Sequence, residues 1–429
     1  MKICIKKRKL EEFSTLYILI CPFLFSTFIE LLKLPSVIKY TVDIAVVVVF
    51  FIFLVKQKKN KNCNFLKLFV FLFSFYCIIN GLLKFQSLVY ILWGIRNNFR
   101  FYIFFFACIY FLDAENIDDL FSKLDKVFYI HIIILFIQFL VLGYNRDNLG
   151  GLFGVRTGCN SWLNIFNVIV VSYSIIMYLN NKYDFKKTLL NCVLALISAA
   201  MAELKFFFVE FIVIAILSSL ITKFTWKKFA IIIGTFFGII LTINLLVYIF
   251  PEWSDTMSIQ GLLEVAMSDK GYTSSGDMNR LTFVNMSNQI LDRYGMPHIT
   301  GFGLGNCEYS DSITWLQTPF FQQYEFTHYT WLSLPFMYLE NGYIGLLFYL
   351  GFFVVVFFYS YMLGKRNKFE KYYFQITMII SVMSILISIY NVSMKMDCAY
   401  MMYFMLSIPF IIMSSRKKQQ YEGNYESKK

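Results

Sequence analysis

The chain has 429 residues, of which 58% are hydrophobic and only 15% charged, with 50 Phe and a mean hydropathy of +0.60. A soluble domain of this length would expose much of that apolar surface, so the composition excludes one and predicts an integral membrane protein. The formal charge of +12 calls for no nucleic-acid partner, because basic residues at the cytoplasmic ends of membrane helices account for much of it.

The basic start Lys6-Lys7-Arg8-Lys9 precedes an apolar run with no small-residue cleavage site, which predicts a first span retained as an anchor. Apolar runs of membrane length fall near 14–32, 38–55, 65–83, 99–112, 127–143, 161–179, 188–202, 204–221, 229–250, 334–362, 373–390 and 398–413. They predict an all-α fold of about twelve transmembrane helices. Connections such as Lys56-Gln57-Lys58-Lys59 and Lys365-Arg366-Asn367-Lys368 concentrate the Lys and Arg on alternate loops. That bias places both termini in the cytoplasm and the one long loop outside. The expected organisation is a bundle of about nine spans over residues 1–250, a large extracellular loop over 251–333, and three C-terminal spans with a basic tail over 334–429.

Cations that the inside bias leaves unexplained share the expected outer side. Arg96 and Arg100, just before the fourth span, are spaced i, i+4 and would share one helix face. Arg146 and Arg156 flank Asn148-Leu149-Gly150-Gly151-Leu152-Phe153-Gly154, Lys205 lies at an outer turn, and Arg280 and Arg293 sit in the long loop. Each alone reads equally as a lipid-facing anchor. As a set they suit a diphosphate at the membrane surface, which a guanidinium grips through its planar fork. Glu203 and Glu210 are spaced i, i+7 within apolar sequence, where a carboxylate is a functional candidate or a buried partner of Lys205 or an Asn. Asp43 follows Lys39 at i+4, which predicts a local ion pair.

Within the long loop, Leu281, Val284, Ile290 and Leu291 give 277–294 the spacing of an amphipathic helix. Gly301, Gly303 and Gly305 alternate without the strand or acidic partner of a dinucleotide site, and read as a tight turn or a phosphate-facing loop. Trp315, Phe320, Phe321, Tyr324, Phe326, Tyr329 and Trp331 could form a sugar-binding groove or an interfacial belt. The nine Cys are scattered; Cys159 and Cys307 share the expected outer face, which leaves a disulfide open. Three His are too few for a His-based metal site, and no metal or cofactor is expected.

The glycine-rich element, the loop His328 and Glu340-Asn341-Gly342-Tyr343-Ile344-Gly345 at the next apolar span follow one another in an order that resembles the O-antigen polymerase and ligase superfamily. Leu149 to Gly154, the Arg96/Arg100 segment and Glu203-Leu204-Lys205 are similar to it as well. Where members often carry Asn two positions after the loop His, this chain has Thr330. The resemblance implies a membrane-embedded glycosyltransferase of the GT-C type in a bacterial cytoplasmic membrane, closest to capsular or O-antigen polysaccharide polymerases. It would move a glycan from one undecaprenyl diphosphate to the non-reducing end of another lipid-linked unit, without a metal. A flippase and a chain-length regulator would be partners. On that reading His328 is the general base and Arg280 holds the donor diphosphate. Arg96, Arg100, Arg156, Lys205, Glu203, Glu210 and Glu340 bind substrate, with Glu203 or Glu210 an alternative base. A flippase of lipid-linked oligosaccharide, a ligase to another acceptor and a partner-binding platform stay open on the residues alone.

Overall fold

A backbone crossing a bilayer must satisfy its own polar groups, which favours helices. The computed structural model describes residues 9–56, 63–84, 86–223, scattered positions between 226 and 248, 276–310, 312–367 and 370–426, and all regular structure among them is helical. In chain order these are α1 (Leu10–Leu32), α2 (Tyr40–Val55), α3 (Asn64–Leu83), α4 (Leu88–Phe111), α5 (Ala114–Leu140), α6 (Asn160–Leu179), α7 (Phe185–Met201), α8 (Lys205–Ile221), α9 (Phe283–Arg293), α10 (Pro319–Tyr324), α11 (Ser333–Arg366), α12 (Lys371–Tyr390) and α13 (Ala399–Glu426). Among the described residues, five helical stretches are long and apolar enough to span a bilayer: Val37–Val55, Asn64–Leu83, Asn160–Leu179, Ser333–Arg366 and Lys371–Tyr390. The shorter Ala399–Ser415 is apolar too. The chain is a helical membrane protein of the multi-pass kind. The expected span at 229–250 falls largely outside the described residues, and 251–275 wholly so.

Two helices depart from expectation at their starts. α4 begins at Leu88, so Arg96 and Arg100 lie inside it rather than ahead of it. α5 begins at Ala114 because Asp113 and Asn116 form a reciprocal capping box, the Asp113 side chain accepting from the Asn116 N–H at 3.1 Å and the Asn116 side chain accepting from the Asp113 N–H at 2.9 Å. Polar residues hide both starts from a hydropathy reading: Arg96, Asn97, Asn98 and Arg100 interrupt α4 after its apolar first turns, and α5 opens on a charged, polar first turn.

The bundle sorts its helices by the width of their apolar faces. α6 is apolar nearly all round and every residue from Trp162 to Leu179 is buried, which makes it the central post. α2 and α3 turn Ile44, Val47, Phe51, Phe65, Leu68, Phe71 and Phe75 outward, as lipid-facing helices do. α4 is clamped to α11 and α13 by aromatic pairs: Phe101 on Tyr400 at 4.9 Å, Tyr102 on Phe352 at 4.9 Å and Tyr102 on Tyr403 at 5.4 Å between ring centroids. This seam sets the rotation of α4 and so the direction in which its two arginines point. The sequence predicts an amphipathic helix over 277–294; α9 forms only from Phe283, with Leu281 outside it and exposed, and it buries Phe283, Ser287, Ile290 and Leu291 and packs on α11.

Candidate functional site

The site is organised by a break in α11. At Gly342 the backbone takes φ +60° and ψ −159°, a conformation essentially confined to glycine. The N–H groups of Tyr343 and Ile344 turn away from the helix and donate to the carbonyls of His298 and Ile299, at 3.1 and 3.3 Å. The carbonyls they leave, Leu339 and Glu340, accept from Phe302 and Gly303 at 2.8 and 2.7 Å. The segment 298–303 thereby replaces one turn of helix hydrogen bonding and is fixed in register to α11. Gly303 and Gly305, both at positive φ, let this loop lie against the backbones of α3 and α4 near Gly81 and Tyr90. The alternating glycines are thus a tight docking turn.

Docking aims side chains. The fully buried Glu340 carboxylate accepts the N–H groups of Gly305 at 2.8 Å and Cys307 at 3.4 Å. The next residue, Glu308, is delivered 1% exposed beside α4, where its two oxygens accept the Asn97 and Asn98 amides at 2.6 and 3.3 Å. Arg96 grips Asp43 of α2 through two nitrogens at 3.1 and 2.6 Å. Arg100 pairs with Asp397 at 2.6 Å, faces Asp43 at 3.7 Å and stands 3.5 Å from the Lys395 carbonyl. Asp43, expected to pair with Lys39, takes these guanidinium partners from α4.

These groups surround a cavity of about 220 Å³ at the end of the bundle that carries residues 276–332. Lys39, Arg96, Arg100 and Lys395 line it together with Asn97, Glu308 and Asp397. Tyr40, Trp93 and Phe336 add aromatic walls. A smaller void of about 10 Å³, room for one water, shares Lys39 and Asp397 and is also lined by Arg156. The larger cavity is below the roughly 300 Å³ at which drug-sized pockets begin, which suits a charged head group better than a whole glycan. Burial pushes the Glu308 carboxyl above its ordinary value against the pull of Lys395, Asn97, Arg96 and Arg100. The Lys395 amine is lowered by burial, with Glu308 and Glu340 opposing. Burial also pushes Asp397 up, but Arg100 and Arg96 outweigh it and hold its carboxyl below the usual range.

Of the residues singled out by sequence, Arg96 and Arg100 line this cavity and Arg156 lines its annex. Glu340 stands behind the wall, on the loop backbone. His328 lies outside the lining, half-buried in a left-handed turn at φ +51° with its ring stacked on Trp331 at 3.8 Å. Arg280 is outside too: its Nε donates to the Tyr390 carbonyl at 2.8 Å and its guanidinium covers the Tyr390 ring at 4.4 Å. Glu203 pairs with Arg146 at 2.9 Å beside Lys205, and Glu210 accepts the Asn164 amide at 3.2 Å within the bundle. Glu203, Lys205 and Glu210 are all outside the cavity lining. Phe320, Phe321, Tyr324 and Tyr329 pack inside the loop, whereas Trp315, Phe326 and Trp331 are exposed. Neither Cys159 nor Cys307 is in a disulfide, so the bridge left open by sequence is not formed.

Sequence reasoning passed over Glu308, Lys395 and Asp397. The only trace of the last two is a lysine and an aspartate two residues apart in a short connector between apolar runs. The Gly150–Gly154 motif docks on α5: the Gln138 amide donates to the Gly151 carbonyl at 2.8 Å and accepts its N–H at 2.7 Å. His131 Nδ1 accepts the Leu152 N–H at 3.2 Å. Gln138→Leu is expected to leave the buried Gly151 N–H unpaired, costing about 1–3 kcal/mol, while the Gly151 carbonyl keeps the Gly154 N–H at 3.3 Å. Thermal unfolding of the purified protein in detergent would read this as a lowered midpoint.

No family model, curated protein or solved structure matches the chain.

Proposed function

We propose that the protein polymerises undecaprenyl-diphosphate-linked oligosaccharide units into polysaccharide at the outer face of a bacterial cytoplasmic membrane. On this reading it is a GT-C-type glycosyltransferase of about twelve spans with both termini cytoplasmic. A flippase delivers the units and a chain-length regulator sets polymer size. The observation that carries the reading is the cavity of about 220 Å³ in which four cations meet a buried carboxylate. Glycosyl transfer from a lipid diphosphate asks for that combination, because the departing diphosphate needs cations and the attacking hydroxyl needs a proton acceptor. The cavity is built from separate elements: α4 gives Arg96 and Arg100, the docked loop gives Glu308, and the α12–α13 connector gives Lys395 and Asp397. A surface anchor would need no such convergence.

The test is a deletion strain whose lipid-linked pool and polymer are separated on a gel. The reading predicts single lipid-linked units in place of polymer, restored by the wild-type gene and not by Arg96→Ala. Accumulation of full-length polymer still on its lipid would indicate a ligase, and normal polymer would remove the protein from the pathway.

A further inference from the structure

The cations around the cavity are unequally committed. Arg96 has Nε and Nη2 on Asp43 and Nη1 on the Asn97 side chain at 2.6 Å. Arg100 has Nη1 on Asp397. An incoming anion can take the donors bonded to Asp43 and Asp397 only by displacing a carboxylate, which leaves the unpartnered, buried Arg100 Nε as the one uncommitted nitrogen of the two guanidinium groups. Lys395 differs. Its amine is buried, has no hydrogen-bond partner, and rests 3.3 Å over the Phe336 ring centroid. A cation–π contact leaves ammonium protons unsatisfied, and a phosphate oxygen entering the cavity would satisfy them. Glu308 is the complementary group. Each oxygen accepts one amide, from Asn97 or Asn98, out of about four lone-pair sites on a carboxylate. It is therefore held in place with acceptor capacity to spare, and it faces the same cavity as Lys395.

We propose that Glu308 accepts the proton of the attacking sugar hydroxyl and that Lys395 is the cation that meets the departing diphosphate. The pair rests on the polymerase reading and gives its chemistry to two residues of the cavity wall. In the step, the acceptor hydroxyl oxygen bonds the anomeric carbon of the donor sugar and its proton passes to Glu308. The bond from that carbon to the diphosphate oxygen breaks, and the electron pair leaves on the diphosphate beside Lys395. The groups that set the charge at Glu308 are Lys395, Arg96 and Arg100 together with Glu340 behind the wall. Because burial raises the Glu308 carboxyl, the proton-accepting form fills in as pH rises through a midpoint above the ordinary carboxylate range of about 4.

The experiment uses the full chain in lipid nanodiscs, with binding of undecaprenyl diphosphate and lengthening of lipid-linked units from the deletion strain measured side by side. Glu308→Gln is expected to keep undecaprenyl diphosphate binding while transfer falls about 10²–10⁴-fold, and to flatten the rising limb of the pH–rate profile. Glu308→Asp should regain part of that limb. Lys395→Ala should weaken undecaprenyl diphosphate binding about tenfold or more, the loss of one hydrogen bond to a charged group, with Lys395→Arg recovering part of it. Thermal melting of each variant separates misfolding from lost chemistry. A wild-type pH profile in Glu308→Gln, or loss of the limb in His328→Ala but not in Glu308→Gln, overturns the base assignment. Unaltered binding in Lys395→Ala overturns the cation assignment. A wild-type protein that neither binds undecaprenyl diphosphate nor lengthens glycan overturns the polymerase reading, and the pair with it.

Discussion

Arg100→Ala is expected to abolish polymer and to destabilise the protein by about 1–3 kcal/mol, short of the full effect of breaking a buried ion pair because the Asp397 side chain is 32% exposed. The side chain is 8% exposed and holds Asp397 at 2.6 Å while facing Asp43 at 3.7 Å. Without it, Asp397 loses its contact partner and keeps only the weaker pull of Arg96 and Lys39, and the α12–α13 connector loses its tie to α4. Arg100→Lys keeps the charge but has no planar fork to reach both Asp397 and the Lys395 carbonyl. The informative variant is Arg100→Met with Asp397→Asn. Removing both charges should return most of the stability, because the penalty comes from the unpaired partner, while polymer remains absent. Recovery of polymer in the double variant would show the pair to be only structural.

Gly342→Ala is the second large effect. Its φ of +60° and ψ of −159° cost an L-residue about 1–3 kcal/mol. A Cβ there would also run into the carbonyls of Ile299 and His298. The loop would have to leave the break, taking with it the N–H groups that hold Glu340 and the placement of Glu308. Loss of polymer with a lowered melting midpoint is expected. Gly351→Ala in the same helix is the control. There the new methyl meets only the Phe69 ring, at 3.2 Å, and a ring edge can give way. Equal damage from both substitutions would count against a special role for the break.

Among the described residues, the apolar runs placed the helices well where they were pure. They failed at α4, because Arg96, Asn97, Asn98 and Arg100 interrupt the hydropathy of a helix that aromatic packing nevertheless buries. The run from 334 to 362 reads as one span, and Gly342 within it looks like any helical glycine until the loop that enters the break is seen. Arg96 and Arg100 were legible because charges stand out against apolar sequence. Glu308 was not, since an acidic residue in a polar loop reads as solvated; only loop docking buries it. His328 and Arg280 drew notice for their residue types, yet the fold turns them to Trp331 and Tyr390. Residue type alone does not say where a loop side chain points.

The most direct test of the account is reconstitution. Purified protein in sealed vesicles would receive lipid-linked oligosaccharide units extracted from the deletion strain, with glycan length and free undecaprenyl diphosphate followed over time. The account predicts stepwise longer glycans, one lipid diphosphate released per unit joined, and neither product with Glu308→Gln. Units that cross the bilayer unchanged in length, with no lipid diphosphate released, would contradict it and make the protein a transporter.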